Sequence, residues 1–304
     1  MFRKFLFVSV AIAFAATTNA QIEPKDSTFQ VIGYWSKGEK QSYSVTESKI
    51  KINKTDTTSK ETTNYKLDVT VLDSTDKNYK LEWKYSGYTT SDKSDMVKDL
   101  SSLAEGMKMI VVTNENGEFQ ELENWKEIQE ITKKAMNGLQ NKYALLPNIK
   151  QIVESVNEKF ATKELVEANC TKEVVQFLSF HGGKYKLGEV LTGKSEQMSG
   201  LGKPIDNNYE ILLDELNIAD NNGVFRMSQT LDSKQLTDQT YELLKKMMPK
   251  GNKIMPRDKM PELTNSTELA SRIHNAGWVI YSIETKTTNS LDVQSIEERV
   301  IDIQ

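Results

Sequence analysis

The chain has 304 residues, with 43 acidic against 39 basic side chains and a formal net charge of −4. That balance supplies no basic excess for nucleic acid and no Lys/Arg cluster for acidic lipid head groups. A single cysteine, Cys170, excludes any intrachain disulfide and leaves the fold dependent on its hydrophobic core.

Residues 1–20 have the layout of a secretory signal peptide. Arg3 and Lys4 form the positive start, and Phe5 to Ala16 form the apolar core. Thr18-Asn19-Ala20 supplies small residues for cleavage before Gln21. The apolar core is too short for a spanning helix, which needs about 20 residues, and no later run is longer. The expected location is therefore periplasmic or extracellular.

After a leader to about residue 30, the chain alternates with period two. Phe29 to Tyr34, Lys40 to Val45 and Glu47 to Asn53 are predicted strands, the second reached through Lys37-Gly38-Glu39. Thr62 to Leu72 alternates through Tyr65, Leu67, Val69 and Val71. Tyr79 to Tyr85 follows, with Leu81 and Trp83 on the same face. The other face is rich in Lys, Thr, Ser and Glu, as expected of an antiparallel sheet with one side in water. Ser91 to Leu103 has helical spacing. Met107 to Thr113 and Glu118 to Leu122 form a hairpin through Asn114-Glu115-Asn116-Gly117.

A helical block occupies residues 123–182. Asn124 and Glu127 have capping-box spacing. Trp125, Ile128, Ile131, Ala135 and Leu139 mark one stripe, and Ile149, Ile152, Val153, Val156 and Phe160 a second, with Pro147 at its start. Thr162 caps a third helix carrying Val166, Cys170, Val174, Phe177 and Leu178, which Gly182-Gly183 terminates.

Strand patterns resume at Tyr185 to Leu191, Glu196 to Gly200, Tyr209 to Leu216 and Val224 to Leu231. A helix follows Asp232-Ser233, with Leu236, Leu243, Leu244, Met247 and Met248 on its apolar side. Pro249, Pro256 and Pro261 punctuate a loop whose Lys250 to Glu262 portion has the character of a lid. Thr267 to His274 and Trp278 to Thr287 pair through Asn275-Ala276-Gly277. Leu291 to Ile303 closes the chain, and its broken alternation predicts a bulge near Ser295-Ile296. The two β-rich halves, residues 21–122 and 183–304, share an order of features: a Gly-Glu turn, a meander, a helix and a late hairpin.

No catalytic, metal or nucleotide signature is complete. His181 and His274 are the only histidines, too few to converge on a metal. Gly200-Leu201-Gly202-Lys203 lacks phosphate-loop spacing, and no cofactor is expected. The aromatic set is more informative. Trp35, Trp83, Tyr85, Trp278 and Tyr281 all lie in or beside strands, where they could wall a concave face.

Some segments also carry a resemblance. They are Gln21 after Thr18-Asn19-Ala20, Lys37-Gly38-Glu39, Asn116-Gly117-Glu118-Phe119 leading into Glu123-Asn124-Trp125, and Gly277-Trp278-Val279. In these the chain resembles uncharacterised exported proteins of Bacteroidota. In outline it is similar to the lipoprotein-carrier type of half-barrel, a curved antiparallel sheet holding helices in its concavity. The resemblance covers layout over most of the chain after residue 20 and supplies no functional residues.

Together these features predict an α+β protein with a curved antiparallel sheet, built from two related halves with a helical block between them. The leading expectation is an exported, non-enzymatic protein that holds a lipid or other apolar or amphiphilic ligand on the concave face. Trp35, Trp83, Tyr85, Trp278 and Tyr281 would form the wall. An alternative is an envelope scaffold that docks a partner protein through an exposed stripe on Ile149, Ile152, Val156 and Phe160. A third is a hydrolase with an acidic pair on the sheet.

Overall fold

The computed structural model describes residues 21–198, 203–247 and 255–304. The expected signal peptide, the Gly200-Leu201-Gly202 turn and the first part of the expected lid lie outside the described residues.

In chain order, β1 (Ile22–Glu23) and β2 (Thr28–Gln30) precede a long meander. The meander comprises β3 (Lys40–Asn53), β4 (Asp56–Ser74) and β5 (Asn78–Thr90). Then come α1 (Asp95–Ser102), β6 (Lys108–Asn114) and β7 (Phe119–Leu122). The helical block is α2 (Trp125–Lys142), α3 (Ile149–Lys159), α4 (Lys163–Cys170) and α5 (Lys172–Leu178). After β8 (Lys184–Lys186) the second meander runs through β9 (Val190–Met198), β10 (Pro204–Asn217) and β11 (Asn222–Leu231). It continues with α6 (Ser233–Met247), β12 (Thr264–His274), β13 (Val279–Ser290) and β14 (Val293–Ile303).

Eleven strands form one antiparallel sheet in the order β7-β6-β5-β4-β3-β14-β13-β12-β11-β10-β9. The sheet is large, curved and open, so the α+β class and the curved sheet hold. The two β-rich halves join through β14 and β3, whose register is unbroken from Val293↔Asn53 to Ile303↔Tyr43. A small sheet, β1-β2-β8, lies at one end.

The shared order of features has a structural counterpart. Each half contains a three-strand meander followed by a helix and a hairpin, and the second half adds β14. Gly38 and Gly188 both take positive φ, 90° and 75°. Each donates its N–H across to a strand, Gly38 to Val71 O at 2.8 Å and Gly188 to Leu213 O at 3.0 Å. The late hairpins also match, with Gly117 N donating to Asn114 O and Gly277 N to His274 O.

Several local expectations are corrected. Lys40 to Val45 and Glu47 to Asn53 form one strand of 14 residues. The capping box at Asn124 does not form. Its side chain donates to Glu127 Oε2 at 3.2 Å but accepts from Ile110 N at 2.9 Å and donates to Lys108 O at 3.0 Å, tying the start of α2 to β6 rather than capping the helix backbone. The α2 stripe is turned, with Met136 buried and Ile131 exposed. The third helix is two. Thr162 caps α4 as expected, accepting from Leu165 N. Thr171 then breaks the run, its hydroxyl donating back to Glu167 O at 2.7 Å and its backbone leaving helical values. Asp232 caps α6 by accepting from Gln235 N at 2.8 Å. Leu243 and Leu244 of that helix are exposed, while Thr237 is buried.

No bulge interrupts β14. Its alternation breaks because both faces carry apolar residues. Ile301 points into the core, while Ile296 sits opposite Ile50, and Val300 opposite Ile283, on the convex side.

Candidate functional site

The concave face divides along the strand direction into a filled end and an open end. The filled end is aromatic and aliphatic. Tyr43, Leu67, Trp83, Met109, Phe225, Val279 and Ile301 present their side chains there and are fully buried. The cover is α5 with the small sheet. Phe177 of α5 meets Tyr43 edge-on at 5.5 Å and Trp83 at 5.4 Å. Trp35 lies 5.2 Å from Trp278 and 5.1 Å from Tyr79. Phe29, Phe180 and Tyr185 close round Phe225. Such contacts supply about 0.5–1.5 kcal/mol per pair beyond area burial.

This placement decides the five residues expected to wall a ligand. Trp35, Trp83, Tyr85 and Trp278 are brought together, but at 0–6% exposure they pack against the protein's own helix and segments. Tyr281 is separated from them. It pairs with Asp302 on the convex side and is 38% exposed. A shift of register between Arg272 and Ile273 accompanies its turn outward.

His181, just after α5, is buried in the same end. Its Nε2 is 2.9 Å from Gly277 O, and its ring stacks on Phe177. Burial pulls its pKa down to about 4, the hydrogen bonds only partly opposing the shift. The imidazole is neutral at ordinary pH and acts as part of the core. Cys170 packs against the core, and burial pushes its thiol up to about 12, so it is held as the unreactive thiol. Among the described residues no group of three or more His, Cys, Asp or Glu could hold a metal ion.

A polar belt separates the two ends, centred on Arg299 of β14. Its Nε donates to Glu47 at 3.1 Å and its Nη1 to Glu284 at 3.3 Å and to Gln176 Oε1 at 3.1 Å. Glu173 of α5 lies 3.9 Å away and accepts from the Tyr65 hydroxyl at 2.6 Å and from Tyr85 at 3.3 Å. Gln176 completes the belt by donating to Ser282 at 2.9 Å and to Arg299 O at 3.2 Å. Burial works against the Arg299 charge, but Glu173, Glu284 and Glu47 more than offset it and raise its pKa. Burial, then the Glu173 charge, holds Tyr65 and Tyr85 far above the usual phenol range. Three carboxylates do converge here, as the hydrolase expectation requires. Each is engaged by the guanidinium or by a tyrosine hydroxyl, and together they anchor α5 to the sheet.

Beyond the belt the concave face is open. A cavity of about 570 Å³ lies between the α4–α5 junction and the sheet. On the β9–β12 side it is lined by Ser195, Glu196, Gln197, Asn207, Gln229 and Thr267, and two cross-strand rows order the sheet around it. One cross-strand row runs Leu191, Ile211, Met227, Leu269 on β9 to β12, then Glu284, Arg299, Glu47 on β13, β14 and β3. The next row runs Gly193, Tyr209, Gln229, Thr267, then Lys286, Glu297, Lys49 and Glu61. Both rows switch from apolar or neutral residues to charged ones between β12 and β13. With strands about 4.8 Å apart, a four-strand portion is roughly 15 Å wide and the three-strand charged portion of the first row roughly 10 Å. Val175 of α5 faces the cavity and is 52% exposed, and Leu191 at the sheet edge is 39% exposed. Gly193 has a packing role, since a Cβ there would lie 2.3 Å from the Tyr209 ring. A smaller cavity of about 270 Å³, lined by Tyr88, Val97 and Leu100 among others, adjoins on the far side of Glu47 and Lys49.

The open-end residues escaped the sequence reading because Lys49, Lys286 and Glu297 read as ordinary solvated strand positions. Strand parity carried the missing signal. Continuing the alternation of Tyr43 and Val45 places Glu47 and Lys49 on the same, inward side. The expected docking stripe of α3 is turned inward. Ile149 is buried, and Val153 and Val156 pack with Met136 and Leu139 of α2.

No family model matches the sequence, and no curated protein matches it. Two solved structures give low-scoring overlaps. One, described as lipid–protein interactions in lipovitellin, superposes with a TM-score of 0.41 at 9% identity. That overlap covers 88% of this chain and 25% of the other, so this chain spans about a quarter of that one's length. The other, the COG4313 outer membrane channel from Pseudomonas putida F1, gives a TM-score of 0.17 at 7% identity, covering 93% and 100% of the two chains. No helix among the described residues is long and apolar enough to cross a membrane.

Proposed function

We propose that this is an exported, non-enzymatic binding protein that holds an amphiphilic ligand at the open end of the concave sheet. The observation that carries this is the change of lining across the cavity. The β13–β14–β3 wall offers Lys286, Glu297 and Lys49 to a polar head, whereas the β9–β12 wall is mostly neutral, with Ser195, Gln197, Asn207, Gln229 and Thr267 beside the single charge of Glu196. Val175 supplies an apolar contact from α5. A wholly apolar ligand suits the site less well, because it would bury ammonium and carboxylate groups without partners. Export rests on Arg3-Lys4, the apolar run to Ala16 and Thr18-Asn19-Ala20.

The test is direct. Protein from its native source is extracted and analysed by mass spectrometry for co-purifying amphiphile. Delipidated protein is titrated calorimetrically with single-chain lipids that carry zwitterionic, anionic or uncharged heads. Saturable binding that depends on head charge, and is weakened at least tenfold by Lys49→Gln with Lys286→Gln, supports the proposal. Absence of both bound amphiphile and saturable binding refutes it.

A further inference from the structure

The two edges of the eleven-strand sheet differ. At one edge β7 is short, and its Leu122 N donates to Glu167 Oε1 of α4 at 2.9 Å. At the other, β9 runs in unbroken register with β10 from Leu212↔Val190 to Pro204↔Met198. No strand among the described residues pairs with its outer side. Val190 and Leu191 are 53% and 39% exposed, and Thr192, Lys194, Ser195 and Glu196 are exposed as well. The strand has neither proline nor bulge, two of the devices that blunt an edge against pairing.

Strand parity puts Lys194 and Glu196 on one face. Neither joins an ion pair among the described residues. Glu196 instead has a like charge, Asp206, directly opposite on β10, which is an unfavourable neighbour. In an antiparallel pair, residues directly opposite each other point to the same face. A two-fold axis relating two copies of β9 must therefore pass through a residue that faces its own counterpart. Centring on Lys194 sets ammonium against ammonium, and centring on Glu196 sets carboxylate against carboxylate. Centring on Ser195 sets Lys194 of each copy against Glu196 of the other. We propose that β9 is a homodimer interface, pairing antiparallel with β9 of a second copy about a two-fold axis at Ser195. The ladder runs from Thr192 opposite Met198 to Met198 opposite Thr192. Its backbone hydrogen bonds supply the affinity, and the charges select the partner and register. The two eleven-strand sheets then continue as one, with both concave faces on the same side. Ser195 and Gln197 line the open cavity, so the seam brings the two cavities together. The interface does not depend on the ligand reading.

Sedimentation velocity over a concentration series at low ionic strength tests it. Wild type should show a reversible monomer–dimer equilibrium. Lys194→Glu and Glu196→Lys, each alone, make both cross-strand pairs like-charged and should weaken dimerisation at least tenfold. Mixed in equal amounts, the two variants regain both pairs, and a dimer of one copy of each should form with wild-type affinity. Under mild oxidation Ser195→Cys should be trapped as a linked dimer, whereas Thr192→Cys, placed opposite Met198, should not. A wild type that stays monomeric at millimolar concentration overturns the proposal and leaves the edge to a strand of another protein. A dimer indifferent to Lys194→Glu places the interface elsewhere and overturns it too. Variants that each fail to dimerise and do not recover on mixing overturn the register.

Discussion

Removing the Arg299 guanidinium tests the idea that the polar belt holds α5 in the concavity. Arg299→Met keeps the length of the side chain and deletes the charge. The arginine side chain is 11% exposed, and its partners Glu173, Glu284 and Glu47 are 11%, 23% and 31% exposed. Breaking a buried pair by deleting one partner costs about 3–5 kcal/mol. Water reaches Glu47 and Glu284 in part, so the low end, about 3 kcal/mol, applies. Gln176 Oε1 also loses its donor. With a urea slope near 3 kcal/mol/M for a chain of this size, the midpoint should fall by about 1 M. Arg299→Lys keeps the charge but cannot bond Glu47, Glu284 and Gln176 together, and should fall by about half as much. Equilibrium urea unfolding followed by tryptophan fluorescence and far-ultraviolet circular dichroism measures both. Trp83 and Trp278 lie against Phe177, so loosening of α5 also reaches the fluorescence of the folded state. A Met variant within about 0.5 kcal/mol of wild type, the range of ordinary surface changes, would refute the anchoring role.

Three further outcomes follow from single sites. His181 has its pKa lowered to about 4 from 6.5 by burial. The unfolded chain therefore takes up a proton below pH 6.5 that the folded protein refuses until about pH 4, and stability falls across that window by roughly 3 kcal/mol. His181→Gln should flatten this part of the melting-midpoint profile against pH; an unchanged slope would refute the assignment. Gly277→Ala should destabilise by about 2–3 kcal/mol in urea unfolding, because φ is +82° and the new Cβ would sit 2.5 Å from Ile32 O. A midpoint like that of wild type would show that the contact relaxes freely. Cys170, with its thiol raised to about 12, should resist iodoacetamide at pH 8 in folded protein and react on unfolding. Rapid labelling of the native state would contradict its burial.

Local sequence carried much of the secondary structure. The alternation of Tyr65, Leu67, Val69 and Val71 identified β4 because one sheet face is buried and the other wet. Thr162 was legible as a cap, and the start of α6 was legible at Asp232-Ser233, because capping depends on a few neighbouring residues. The shared order of the halves was legible through Gly38 and Gly188, whose positive φ is a local demand of the turn. What misled was chemistry without placement. Asn124 has the right spacing for a capping box, but β6 lies within reach and takes its side chain.

The sequence by itself determined the type of most strands and helices and excluded an intrachain disulfide, since each depends on short-range pattern or composition. Only the tertiary structure decided which part of the concave face is covered and which is open. Trp35, Trp83, Tyr85 and Trp278 have the residue types of a ligand wall, yet α5 covers them. The charged positions that line the open cavity come from β3, β13 and β14, up to about 250 residues apart in the chain by the separation of Arg299 and Glu47. No local pattern encodes which strands become neighbours. That choice is made by the pairing of β14 with β3, which aligns Glu284, Arg299 and Glu47 in one row.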